Sequence, residues 1–288
     1  MPLRPNADRY AWLASEAGKA LQVDGSLESR ISPPPGYARV RVDAGSFSEW
    51  LRGLPLAPGG TPVTAHDGSA IRSADDDYVA AVIAIDVGGG DLQQSADVIL
   101  RFHAEWLWSR GEKSAISYRG ANKLAMPLSR WEKGQRLVAG GPTAVYWAVK
   151  TKPKPADYVE FRRFLDAVFT WANSTSLAQR SERVERPEAL APGDFFLHAR
   201  APGHVAIVLD VAQKPSGERV ALLGQALNPA QSVHVLRPGR ATPWFSLRPG
   251  LPIVTPYTRE FGWDELRRLA QAAGDDENDP ALDAGATP

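Results

Sequence analysis

Three polar side chains have types and positions that suit nucleophilic chemistry. Ser95 lies in the first turn of an expected helix, just after the turn Gly88-Gly89-Gly90. Steps of three and four from it reach Ile99, Phe102 and Trp106, so it faces the buried side. A helix N-terminus lowers the pKa of a nucleophile and favours an oxyanion. His204 follows Gly203 and opens the run HVAIVLD, which reads as a buried strand. Gln225 lies on the next run, VALLGQAL. Strands alternate faces with a period of two. Gln225 therefore shares His204's face only if paired residues have numbers summing to an odd value, about 431. An amide there would orient the imidazole and fix its tautomer. Each residue also has a plain reading: a helix-start serine satisfied by backbone, a core histidine, a strand amide. Asp210 and Asn228 compete with Gln225 for the third role.

Composition removes other chemistries. The 288 residues include no cysteine, which excludes disulfides, thiolate metal sites and a cysteine nucleophile. The five histidines form no H-E-x-x-H pair and no close carboxylate cluster, so no metal and no cofactor are expected. Asp75, Asp76 and Asp77 read as a solvated loop. The turn GGGDLQQS is neither G-x-G-x-x-G nor a P-loop, and Asp91 opposes a phosphate. Lys+Arg and Asp+Glu are both 33, so a nucleic-acid partner is not expected. The longest apolar run, Tyr78–Ile85, is far short of the roughly 20 residues of a membrane span. The N-terminus carries no apolar signal core, so the chain as written reads as soluble.

The elements that would position these side chains follow from the periodicities. Residues 1–30 read as an N-terminal arm. Tyr37–Val42 alternates as a half-buried strand does. Ser46 and Glu49 form a capping-box pattern ahead of a short helix stopped by Pro55. Tyr78–Val87 reads as a buried strand, and Asp91 caps a helix placed at about 92–110. Residues 118–141 give no clear pattern. Ala144–Val149 reads as a strand. Residues 156–172 form an amphipathic helix with Tyr158, Phe161, Phe164, Leu165, Val168 and Phe169 on one face. After Pro192 the period becomes two, with strands at 194–199, 204–211, 220–227 and 233–236. Gly262–Ala272 reads as a last helix, and 273–288 as a disordered acidic tail. Helices first and strands later imply an α+β class, with one domain over 31–272.

Several segments resemble a bacterial family known as domain of unknown function 4846. They include ISPPPGYARVRVDAGSFSEWLRGLPL, AAVIAIDVGGGDLQQSADVILRFHAEWLWSRG, FRRFLDAVFTWANSTSL, PGDFFLHARAPGHVAIVLDVA and LLGQALNPAQSVHVL, in the family's order. The second half also resembles the NlpC-type branch of the papain-like fold. Gly193-Asp194-Phe195-Phe196 matches its turn, Gly203-His204-Val205-Ala206-Ile207 its histidine strand, and Gln225 its third polar residue. The resemblance implies a nucleophile opening the helix. In the family that helix starts Leu-Gln-Gln-Cys-Ala-Asp, and this chain has serine in the cysteine's place, at Ser95.

Three readings follow, the third being a structural envelope protein with no working cleft. In the first, a papain-like hydrolase or transferase acts on an amide or ester of the bacterial cell envelope. Ser95 is its nucleophile, His204 its base, Gln225 the orienting group, and Gln93 or Gln94 an oxyanion donor. In the second, the same fold is a silent module that binds a cell-wall peptide or glycan, with Trp131 or Trp147 as platforms. The expected place is the envelope if a leader has been removed, and the cytoplasm otherwise.

Overall fold

The computed structural model describes residues 7–141, 144–200, 202–258 and 260–270. It is a mixed α+β fold in which sheet predominates. Nine strands form the main sheet: β1 (Ala38–Arg39), β2 (Val79–Val82), β3 (Ser181–Arg183), β4 (Phe195–His198), β5 (His204–Gln213), β6 (Arg219–Gln225), β7 (His234–Leu236), β8 (Phe245–Leu247) and β9 (Leu266–Leu269). The order across it is β2-β7-β6-β5-β4-β9-β3, with β1 added to β5 and β8 to β6, and every pairing is antiparallel.

The strand period divides the sheet into two apolar faces. Val205, Ile207, Leu209 and Leu222 join the larger core. Ala206, Val208, Ala221 and Leu223 join a second core with Phe245 and Phe261. Four of the helices matter for the site: α1 (Phe47–Arg52), α2 (Ser95–Ser109), α3 (Tyr158–Trp171) and α4 (Ser174–Gln179). The expected face of α3 is buried at Phe161, Phe164, Leu165, Val168 and Phe169, while Tyr158 is half-buried. Tyr10, Trp12 and Leu27 of the N-terminal arm enter the larger core, and Trp12 Nε1 donates to Ala84 O at 2.8 Å.

Several expectations need correction. Among the described residues the expected last helix is absent. Trp263–Glu265 is a single 3-10 turn, and β9 then slots between β4 and β3. The ladder decides the matter: Phe195 stands opposite Arg267 and Phe196 opposite Leu266 on one side, and Arg183 opposite Arg267 on the other. Asp91 does not cap α2. The helix starts at Ser95 with Gln94 as N-cap, and Asp97 Oδ2 accepts from Gln94 N at 3.1 Å. Asp91 Oδ1 instead accepts from Ala230 N at 2.6 Å, which ties the turn to the loop after β6. The stretch at 118–141 holds Ser117–Arg119 paired with Ala125–Pro127, the short helix Leu128–Glu132, and Gln135–Ala139 paired with Val145–Val149. The acidic tail lies outside the described residues.

Candidate active site

β5 and β6 decide whether the three polar side chains can meet. Ile207 stands opposite Gly224 and Val208 opposite Leu223, the odd-sum register that puts Gln225 on His204's face. The register shifts between Val208 and Asp210, and beyond it Asp210 faces Leu222 and Val211 faces Ala221. Leu209 is the extra residue of this bulge. Gly224 makes room for it, because a Cβ there would lie 2.7 Å from Leu209 Cδ1.

The N-terminus of α2 reaches the start of β5. Ser95 Oγ lies 3.1 Å from His204 Nδ1 and accepts from Val205 N at 2.8 Å. His204 Nε2 lies 3.0 Å from Gln225 Oε1. An amide oxygen only accepts, so Nε2 donates and the lone pair of neutral His204 is on Nδ1, facing the hydroxyl. That is the tautomer of a general base. Phe261 stacks on the imidazole, with ring centres 5.6 Å apart. Nothing in the spacing of the sequence pointed to Phe261, because it comes from a distant segment.

The three residues do meet in one place. Asp210 is instead fully buried between Arg39 and Arg52, at 2.6 and 2.7 Å. Asn228 lines the same cleft, beyond the end of β6. Neither glutamine before Ser95 offers a free amide. Gln93 is buried, receives Arg101 at 2.8 Å and donates to Asp86 O. Gln94 Nε2 donates to Asp91 Oδ1 at 3.0 Å. The backbone is better placed to hold an oxyanion. Among the described residues the amides of Ser95 and Ala96 have no acceptor, as the first turn of a helix leaves them. Capping logic was the signal that could have found them.

Ser95 and His204 open into a cleft of about 830 Å³. Phe169, Asn173 and Ser174, from the end of α3 and the start of α4, line one side. Leu227, Asn228 and Tyr257 also line it. Gly203 permits this approach, because a side chain there would collide with Ser174. Asp97 belongs to the lining too. Burial holds its carboxyl well above the usual range, outweighing the N–H of Gln94. Trp131 and Trp147 are absent from the lining. Their Nε1 atoms donate inward, to Glu160 Oε2 and Ala125 O, so neither serves the cleft as a platform.

No helix among the described residues is long and apolar enough to cross a membrane. Comparison with curated proteins and with solved structures gave no match. A family model does match, across residues 27–268. The chain thus belongs to the family described as Domain of unknown function (4846).

Proposed function

We propose that this protein is an acyl-transfer enzyme, a hydrolase or transferase acting on an amide or ester bond, built on a papain-like core with serine in the nucleophile's place. The observation that carries the reading is the unbroken line Ser95 Oγ–His204 Nδ1, His204 Nε2–Gln225 Oε1, with its first two members on an open cleft. The fold analogy rests on a helix N-terminus meeting an antiparallel strand, and it supports the reading without assigning a substrate. A bacterial cell-envelope peptide or glycan is the partner class that the resemblance favours.

The chemistry would run as follows. Ser95 Oγ attacks the carbonyl carbon while its proton passes to His204 Nδ1. The carbonyl oxygen takes the negative charge beside the Ser95 and Ala96 amides. The bond to the leaving amine or alcohol then breaks, and His204 returns the proton to that group. Water or a second acceptor, deprotonated by His204, attacks the acyl carbon, the bond to Oγ breaks, and His204 returns the proton to Ser95 Oγ. One observation favours the silent binding module instead. The N–H of Val205 already occupies a lone pair of Oγ and draws charge from it.

A fluorophosphonate probe decides between them. The wild type is expected to label and Ser95→Ala is not. If the wild type stays unlabelled while folded Ser95→Cys reacts with iodoacetamide, the binding module is correct and the serine enzyme is not.

A further inference from the structure

The geometry points to His234 as a positioning residue that fixes the amide of Gln225 and, through it, the tautomer of His204. This rests on the reading of His204 as a base, but its test does not need turnover.

β7 puts His234 directly opposite Gln225, and its side chain is fully buried. Its Nδ1 lies 3.0 Å from Ser232 O. A carbonyl only accepts, so Nδ1 carries a hydrogen. Burial pushes the imidazole down to about 4, so the ring is neutral near pH 7 and Nε2 is bare. That bare nitrogen faces Gln225 Nε2 at a longer 3.5 Å.

The alternative amide orientation is costly at both ends. With Gln225 reversed, its oxygen would face the bare Nε2 of His234, lone pair against lone pair. Its NH₂ would face His204 and force the hydrogen there onto Nδ1. Ser95 Oγ would then receive two donors, Val205 N–H and His204 Nδ1–H. Its own hydrogen would have no base to go to. His234 therefore selects the orientation in which His204 offers Nδ1 to the serine. It does not itself line the cleft, and its ring meets edge-on that of Tyr257, which does.

The test is long-range ¹H–¹⁵N correlation on the labelled full chain, with His204 assigned by its loss in His204→Gln. The wild type is expected to show hydrogen on His204 Nε2 and on His234 Nδ1. In His234→Phe the His204 nitrogens should move toward each other as the second tautomer becomes populated. Gln225→Glu in that background should restore the wild-type pattern, because both carboxylate oxygens accept. A His204 that stays wholly Nε2-protonated in folded His234→Phe overturns the proposal. So does hydrogen on His234 Nε2 in the wild type, a reading that stands even if the variant fails to fold. Loss of fluorophosphonate labelling with the tautomers as expected would count against the serine enzyme alone.

Discussion

Two residues in the first turn of α2, Ser95 and Asp97, carry opposite consequences of their surroundings. Ser95 gains partners, whereas Asp97 loses water and keeps one oxygen, Oδ1, without a hydrogen-bond partner. Its raised pKa means that folding takes up a proton above the ordinary carboxylate range. Stability from this group is therefore highest at low pH and is lost as pH rises. Asp97→Asn removes that loss and keeps an oxygen to accept from Gln94 N. Its melting temperature should exceed the wild type's at pH 7, and the gap should close toward pH 4. A gap that is unchanged or reversed would mean that Asp97 is ionised in the fold. At this scale the sequence was informative about Ser95, His204 and Gln225, because helical and strand periods specify faces. It was silent about Asp97, Phe261 and His234, whose roles depend on which segments pack together. Gln93 and Gln94, expected as oxyanion donors, have nearby partners that the sequence did not reveal: Arg101, Asp86 and Asp91.

Periodicity located most elements and failed where an element is short or its role is tertiary. β5, β6 and β7 lie close to the expected spans, whereas Gly262–Ala272 has apolar residues that suit a helix as well as a strand. Pairing of Leu266 with Phe196 settles that conflict. The bulge at Leu209 could not be seen in the sequence, since only the partner strand reveals an extra residue. It makes a sharp prediction at Gly224. Gly224→Ala places a methyl group against Leu209 Cδ1 inside a full core. The expected cost is about 1–3 kcal/mol in denaturant unfolding. Leu209→Ala should cost less in the Gly224→Ala background than in the wild type. Strict additivity would show that the bulge side chain does not rest on Gly224.

Two neutral histidines, fully buried His234 and half-buried His103, make the whole molecule acid-sensitive. Burial pushes both His103 and His234 down to about 4, from about 6.5 in an unfolded chain. Between those values the unfolded state binds more protons. Stability is thus complete above about pH 6.5 and falls as pH drops toward 4, by roughly 3 kcal/mol for each histidine. Buried Asp194 and Glu105 have raised pKa values and work against the fall. The clean measurement is the difference between the wild type and His103→Phe, which should shrink by that amount from pH 7 to pH 4; a constant difference would contradict it. The α+β class was legible from the order of segments, but not the arm's place in the core or the route of the last strand. That last strand has one more consequence. A chain is synthesised from its N-terminus, and Ser95, His204, Gln225 and His234 all emerge before β9. Until Leu266–Leu269 follows, β4 keeps an open hydrogen-bonding edge next to the strand that carries His204. These four side chains are thus made first, and the slot beside them is closed last, from within the sheet.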